Sequence, residues 1–562
     1  MNSDSRVGRS ATALSDRACA WLVFALLLVI GGCWVVLTPP GAGADEPSHL
    51  IRAGAVVNGD FSGLFVTDLE PEVHELSGRY ITPEPSCYVH APDPLATPVD
   101  CAAGTDPGDD TVHATTTADN YPIWGHLVVG IPTLIPLGDA VWSARIGGLL
   151  ITLGLVAAAL ARARQLGRLA AAGILVALTP MAWGTFATVN PSTISIGGAI
   201  AVWIALLIPQ QRRCFGQLDG RLDSRLDGQV DGRLDSRARN DENTDRGPTD
   251  WLLVAGWAAL ALPRRDGLIW ATLIASIVTL SYGISPIELW RRSSRMQHVA
   301  LGLITAIVVV WGVTNKSNLS RLVALSPLLL VGVELGRRAW FRFTTTPARH
   351  LVAIAGLTAL AALGALAAIK VRPGGYSPSL TGTIISETGR HLTEAVGVLG
   401  WLDAPLPWFA IAGTVLLVGI LAGASLVGTG RPAIIAGAVV AVAVLSSWAF
   451  ELQEGSTYGR YWQGRYSLPL LVGAPVVLAT SLARSSEAVA GLRLARVGGV
   501  GALFIMNVAA WSAARRWGVG LYGSMMPWDW DTPLTPFPTL LVLAVLAISS
   551  AALATTLFIQ DP

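Results

Sequence analysis

The sequence predicts an all-α polytopic membrane protein of about 13 to 14 transmembrane helices with a long first extracytoplasmic loop. Three observations predict it. Of 562 residues, 52% are hydrophobic and only 14% charged, with 59 glycines, the composition of tightly packed helices in lipid. Apolar runs of about 17 to 22 residues recur along the chain, each long enough to cross a hydrocarbon core of roughly 30 Å. Arginines collect in alternate loops, as the positive-inside rule requires of a protein threaded back and forth. Length alone would suggest several soluble domains, but the recurring runs describe one bundle. A net charge of +1 gives nucleic acid nothing to hold, so that class of partner is set aside.

The spans are expected at about 19 to 38, 139 to 161, 168 to 188, 191 to 208, 251 to 262, 267 to 283, 298 to 314, 320 to 336, 350 to 369, 407 to 427, 432 to 450, 466 to 483, 497 to 513 and 537 to 558. The run at 251 to 262 is too short to cross alone and reads as a half-helix or interfacial piece. The run from Trp124 to Leu137 is short as well and dips in or lies at the interface. The chain then divides into a tail (1–18), a first helix (19–38), an outer loop with an amphipathic helix (39–122) and a membrane core (123–208). A polar loop (209–250), more membrane core (251–369), a second outer loop (370–406) and the last helices (407–562) follow.

Arg162, Arg164 and Arg168, then Arg212 and Arg213, Arg291, Arg292 and Arg295, Arg337, Arg338 and Arg342, and Arg484, Arg493 and Arg496 mark the cytoplasmic loops. Both termini fall on that side, and the polar loops between face outward. Ala42-Gly43-Ala44 resembles a signal-peptidase site, but the preceding apolar run of about 20 residues exceeds the usual 7 to 15, so an uncleaved anchor is expected. Gln217 to Asp250 repeats Arg-Leu-Asp-Gly and Arg-Leu-Asp-Ser without an apolar face, which reads as a disordered loop carrying no site.

Of five cysteines, Cys19 and Cys33 lie in the first apolar run and Cys214 in a polar loop. Cys87 and Cys101 share the first outer loop, where export would allow a disulfide; two unpaired thiols is the alternative. No Cys-x-x-Cys or Cys/His spacing suggests a structural metal site.

The outer loops carry the candidate chemistry. Directly after the first span, Asp45-Glu46-Pro47-Ser48-His49-Leu50-Ile51-Arg52 places two carboxylates before a proline and an amphipathic stretch, which on residue types alone also suits a charged helix cap. Asn190-Pro191-Ser192 breaks two spans on the same face. Arg264 and Arg265 sit between two short spans, and Arg145 lies inside the second span. Buried arginines there call for an anion such as a lipid phosphate, with snorkelling or pairing to Asp266 as the alternative. Later come Glu387, Arg390, His391 and Glu394, then Trp401 and Asp403, then Gln463, Arg465 and Tyr466. Aromatic anchors such as Trp401, Tyr461 and Trp462 belong at an interface regardless of function; Asp403, Gln463 and Arg465 do not. Trp528, Asp529, Trp530 and Asp531 read either as interfacial anchors or as a sugar-stacking cluster. A carboxylate, arginines and aromatics together suit a general base, a phosphate clamp and a sugar platform.

Asp45-Glu46-Pro47-Ser48-His49-Leu50-Ile51-Arg52-Ala53, with Gly59 shortly after, resembles the opening motif of domain-of-unknown-function family 2142, a group of bacterial membrane proteins. Asn120-Tyr121-Pro122, Val189-Asn190-Pro191, Gly400-Trp401-Leu402-Asp403 and Gln463-Gly464-Arg465-Tyr466 resemble its later motifs. That family is similar to the GT-C superfamily of glycosyltransferases. The resemblance implies a GT-C-like bundle in the bacterial cytoplasmic membrane and transfer of a sugar from a polyprenyl-phosphate donor to a glycan, lipid or protein acceptor outside it. It places the catalytic carboxylate at Asp45, with Glu46 beside it. The family pattern often continues Asn-Pro with an acid where this chain has Ser192. On this reading His49, Arg52, Arg145, Asn190, Arg264, Arg265, Trp401, Asp403, Gln463, Arg465 and Tyr466 bind substrate. A divalent metal, Mg or Mn, held with the help of the adjacent carboxylates, is an open expectation. A lipid-linked-glycan transporter or flippase, or an inactive lipid-binding scaffold, are the competing readings, and the sugar and acceptor are not written in the residues.

Overall fold

The computed structural model describes residues 16–62, 73–83, 85–102, 108–135, 138–207, 251–314, 318–343, 387–458, 462–485, 488–530 and 536–559. The chain is a multi-pass, almost wholly helical membrane protein. Helix α1 (Asp16–Leu37) is the first span and runs straight into the turn that launches α2 (Glu46–Val57). Pro47 sits in the first turn of α2, where its missing N–H is no loss, and Asp45 precedes it with φ 62°. The left-handed region is unusual for a residue with a side chain, and Asp tolerates it better than most.

After α2 the loop folds on a two-stranded antiparallel ribbon, β1 (Val73–Ser77) and β2 (Thr111–Thr115), in the register Val73 to Thr115 through Ser77 to Thr111. Cys87 and Cys101 are joined by a disulfide between the strands. Short helix α3 (Ile123–Gly130) packs on α2, and α4 (Ala140–Arg164) then crosses back against α1.

Among the described residues, eight helices are long and apolar enough to span: Ala18–Leu37, Ala140–Arg164, Arg295–Thr314, Trp408–Val427, Arg431–Glu451, Gly464–Ser485, Val489–Val519 and Thr539–Ile559. Each coincides with an expected span. Of the other six, four form a bent pair or shorter helices, one lies in a long helix and one lies outside the described residues. The run at 168–188 forms α5 (Arg168–Ala177) and α6 (Pro180–Phe186), bent by 70°. Pro180 supplies no N–H and pushes Thr179 out of helical geometry, which ends α5. Helices α7 (Pro191–Leu207), α8 (Trp251–Ala261) and α9 (Gly267–Tyr282) are apolar and, over the described residues, shorter than the eight above. The run at 320–336 lies in α11 (Asn318–Phe343), after α10 (Arg295–Thr314). It is one long helix over the expected span, and Glu334 near the end of that run pairs with Arg337 and Arg338. The run at 350–369 and the loop at 209–250 lie outside the described residues.

Later come α12 (Thr388–Gly397), a small hairpin Val398–Leu399 with Ala404–Pro405, α13 (Trp408–Val427), α14 (Arg431–Tyr458), α15 (Gly473–Ser485), α16 (Ala488–Val519) and α17 (Thr539–Ala554). The core around α5, α15 and α16 is built on small residues. Gly173 of α5 faces Ala479 of α15 so closely that a side chain would overlap it, the close approach that gives helices their packing energy in lipid. The effect on the end of the molecule that carries Asp45 is positional. The α1 to α2 turn, the α6 to α7 break, the α8 to α9 break, the α12 hairpin and the Gln463-Gly464-Arg465-Tyr466 turn all converge there.

Candidate functional site

Two adjacent carboxylates open the site and meet opposite fates. Glu46 is fully buried, and Arg145 of α4 donates to it through Nε at 2.7 Å and Nη2 at 2.6 Å. The backbone N–H groups of Gly41 and Val189 complete its shell at 3.0 and 2.9 Å. Arg145 also donates to the carbonyls of Val35, Thr38 and Pro39, groups the end of α1 leaves without a helical partner. The pair therefore locks the α1 end to α4 and α6. Breaking such a pair by removing one partner costs about 3–5 kcal/mol.

Asp45 turns the other way. Its Oδ2 accepts from Arg465 Nη2, and the Tyr466 hydroxyl lies 3.4 Å from the same oxygen; Arg465 also donates to the Ala44 carbonyl at 3.0 Å. The Asp45 side chain keeps 33% of its surface exposed. The other acids here do not: Glu46 0%, Asp266 4% and Asp403 5%.

Around Asp45 the remaining breaks supply cations and rings. Arg264 and Asp266 pair bidentately in the α8 to α9 turn at 2.7 and 2.9 Å, Arg264 also donates to the Ser192 hydroxyl, and its guanidinium stands 4.9 Å over the Tyr466 ring. Burial raises the Asp266 carboxyl, but the Arg264 charge outweighs this and holds it below its ordinary value. Asn190 accepts from the Ser192 N–H at 2.9 Å and so shapes the turn that presents Ser192. Arg265, half-buried, lies 5.6 Å from the Tyr121 ring. That ring meets His49 edge-on at 5.3 Å, and His49 Nδ1 is 3.1 Å from His126 Nε2. Burial, then the charges of Arg465 and Arg264, push His49 down to about 3, so this imidazole is neutral at any ordinary pH. Arg264 is thus matched by Asp266 and Arg465 by Asp45, with Arg265 beside the Tyr121 ring.

The turn bearing Arg465 is held from behind. Gly464 sits where a Cβ would overlap the His391 carbonyl and the Ala395 N–H, and its own N–H donates to Glu394 at 2.8 Å. Arg390 ties Glu387, Glu394 and the Trp462 carbonyl together. The Glu387, Arg390, His391, Glu394 group expected from the sequence is thus a brace for the Arg465 turn. Gln463, half-buried, lies one residue before it.

The Gly400-Trp401-Leu402-Asp403 motif is the tip of the α12 hairpin, with φ 62° at Gly400 and 65° at Leu402. Trp401 donates its indole N–H to the Gly41 carbonyl at 2.9 Å. Asp403 accepts the Trp401 N–H at 2.9 Å and pairs with Arg516 at 2.8 Å; burial pushes its carboxyl up and Arg516 opposes this. Arg516 also donates to the carbonyls of Pro94 and Thr97 inside the disulfide loop. Arg52, fully buried, pairs with Asp119 at 3.3 Å, and His74 bridges Asp119 and Asp60. Side-chain contacts thus join Asp45 with Arg465, Tyr466 and Arg264, and separately Arg265 with Tyr121 and His49, whose backbone N–H donates to the Asp45 carbonyl at 3.0 Å. Arg145 holds Glu46, and Arg52, Trp401 and Asp403 lie in surrounding networks. Trp528 is exposed and Trp530 packs on Trp511 at 5.9 Å, away from these contacts; Asp531 lies outside the described residues.

Sequence reasoning missed His126, which stands alone in a short apolar run, and Arg516, which reads as one more basic residue near a span end. Asp266 was visible only as a partner for Arg264. Among the described residues, no three His, Cys, Asp or Glu side chains gather as a metal site, and Asp45 and Glu46 are taken by different arginines.

Comparison with known proteins places a family match at residues 28–215, to the model described as predicted membrane protein (DUF2142). That stretch includes the Asp45 motif, Asn120-Tyr121-Pro122 and Asn190-Pro191, so the resemblance holds over it. No curated protein sequence matches. Two solved structures are similar: ArnT from Cupriavidus metallidurans in the apo state, with 15% identity, TM-score 0.36, and 96% of this chain and 78% of that one covered. The same protein bound to undecaprenyl phosphate matches with 13% identity, TM-score 0.33, and 96% and 77% covered.

Proposed function

We propose that this chain, whose residues 28–215 carry the DUF2142 pattern, is a membrane glycosyltransferase that moves a sugar from a polyprenyl-phosphate donor to a cell-envelope acceptor on the outer face of the bacterial cytoplasmic membrane. The observation that carries the reading is the division of labour between the two adjacent carboxylates. Glu46 is saturated by Arg145 and two backbone N–H groups, while Asp45 keeps an exposed edge beside Arg465, Arg264 and Tyr466. A base must touch the proton it takes, and Asp45 alone of these acids has that access.

The transfer balances with these residues. An acceptor hydroxyl oxygen bonds to the anomeric carbon, its proton passes to an Asp45 oxygen, and the bond from that carbon to the donor phosphate oxygen breaks. The departing phosphate gains negative charge, which Arg465 and Arg265 stabilise by charge-assisted hydrogen bonds. Tyr121, between Arg265 and His49, offers a ring on which a sugar stacks. Glu46 and Arg145 are positioning residues: they fix the turn that aims Asp45.

A transporter or flippase for a lipid-linked glycan is the second reading, favoured by the bent α5 to α6 pair and the short α8 and α9, since discontinuous helices build substrate sites in transporters. One experiment separates the two. Membranes overexpressing the wild type are given radiolabelled polyprenyl-phosphate sugars beside membranes with Asp45→Asn. Labelled product from wild type alone supports transfer with Asp45 as base. Product from both equally removes Asp45 from the mechanism, and label crossing the bilayer without product favours the transporter.

A further inference from the structure

Beside Asp45 stands a pair of histidines that the transfer scheme leaves unused. His49, on α2, follows Asp45 by one helical turn, and its Nδ1 lies 3.1 Å from Nε2 of His126, a fully buried residue of α3. The helix that carries His126 has no room to shift. A Cβ at Gly130 would overlap the Ala53 carbonyl of α2, and one at Gly125 would press on Pro263, next to Arg264. The Tyr121 ring closes the pair from a third side, edge-on to His49 at 5.3 Å and to His126 at 6.1 Å.

A contact between two imidazole nitrogens holds one proton, so one ring donates and the other accepts. Both rings are neutral: burial and the charges of Arg465 and Arg264 push His49 down to about 3, and burial, His49 and Arg52 push His126 well below its ordinary value. The direction of the bond follows from the far side of His126. Its Nδ1 is buried without a well-formed hydrogen bond, and the backbone group that acts on this ring belongs to Pro122, one turn earlier. Proline has no N–H, so that group is a carbonyl, and a bare nitrogen facing it would set two lone pairs against each other away from water. His126 therefore carries its proton on Nδ1 and accepts at Nε2, and His49 donates from Nδ1 and keeps Nε2 bare. Among the described residues that Nε2 makes no hydrogen bond.

We propose that His126 is a positioning residue: it fixes His49 as a hydrogen-bond acceptor in the Asp45 pocket, and His49 Nε2 takes a substrate hydroxyl that lies against Tyr121. The inference rests on the transfer reading above and adds the class of group bound there. The pocket is rich in donors, with Arg465, Arg264 and the Tyr466 hydroxyl, and a hydroxyl that accepts from one of them still has a proton to place. His49 keeps 2% of its surface, enough for one nitrogen to accept one hydrogen bond. A substrate lacking that hydroxyl would leave the nitrogen unpaired and bind more weakly.

The full chain is purified with ¹⁵N-labelled histidine rings, and the resonances of His49 are assigned by their loss in His49→Phe. In the wild type at neutral pH, Nδ1 of His49 should be protonated and Nε2 bare. His126→Phe fills the space and cannot accept, so Nε2 of His49 should move toward the protonated form; His126→Gln, whose amide oxygen accepts, should retain the wild-type pattern. In transfer assays with polyprenyl-phosphate sugars, His126→Phe should raise one KM by about two- to tenfold and change kcat less, with His126→Gln close to the wild type. A raised donor KM assigns the hydroxyl to the donor sugar, and a raised acceptor KM assigns it to the acceptor. The proposal is overturned if neither rises, if wild-type His49 carries its proton on Nε2, or if His126→Gln behaves as His126→Phe. The tautomer is read without turnover, so a wild type that transfers nothing defeats the transfer reading, while a protonated Nε2 defeats the role of His126 and leaves that reading standing.

Discussion

Replacing Asp45 by Asn keeps an oxygen for Arg465 to donate to and removes only the basicity. Transfer should fall by about 10² to 10⁴ fold, the usual worth of a general base. Glu46→Gln acts on a different property. It leaves Arg145, fully buried, without its anion, so the thermal stability of the detergent-solubilised protein should fall by an amount near 3–5 kcal/mol. Measuring turnover and melting on both variants tests the division. If Glu46→Gln melted like the wild type while losing transfer, the roles would be reversed. His49 adds a pH dependence. Its folded value of about 3 lies below its ordinary 6.5, so the unfolded chain binds the proton more readily between them. Its contribution to stability is complete above about pH 6.5 and is lost as pH falls toward 3. His391, held down to about 4 by burial and Arg390, titrates in the same window. His49→Gln should therefore make the acid limb of a melting-temperature profile shallower without abolishing it, and an unchanged limb would contradict the burial of this pair.

At the scale of elements, the site depends on turns held from behind. Gly464→Ala puts a Cβ onto the backbone of α12, and relief requires the Arg465 turn to move away from Asp45. Transfer should drop more than tenfold while membrane insertion, read by protease protection, is unchanged. The disulfide loop is the second such support, because Arg516 links its carbonyls to Asp403 and so to the hairpin on which Trp401 contacts Gly41. Closing a loop of about 15 residues is worth roughly 3 kcal/mol in the unfolded chain. Cys87→Ser with Cys101→Ser should lower the melting temperature accordingly, and reductant should lower the wild type and leave the variant unaffected. These supports also show what the sequence could reveal. The spans were legible because apolar length is a one-dimensional property, and the Asp45, Asn190, Trp401 and Arg465 motifs were legible because polar residues at helix ends in a membrane need a reason. Which of two adjacent acids faces solvent was not legible. That is decided by Arg145, 99 residues away along the chain, and by the Val189 N–H. The 70° break at Pro180 within the run at 168–188 was not legible for the same reason: apolar length does not report it.

At the scale of the whole molecule, one choice of orientation ties all of this together. Arg162 and Arg164 lie at the end of α4 opposite Arg145, which sits beside the Asp45 turn. The proposed reading has Asp45 face outward by the positive-inside rule, toward a compartment where Cys87 and Cys101 would stay oxidised. Charge bias and the disulfide both favour that proposed side, and together they make a prediction that needs no substrate. In a Cys214→Ser background, where Cys19 and Cys33 are buried and Cys87 and Cys101 are bonded, a single exposed cysteine is placed by His90→Cys or by Gln165→Cys. A membrane-impermeant maleimide added to intact cells should label the first and leave the second until the membrane is opened. The reverse pattern would put Asp45 and its arginines in the cytoplasm, beside soluble nucleotide sugars, and would remove the reason for a lipid-linked donor.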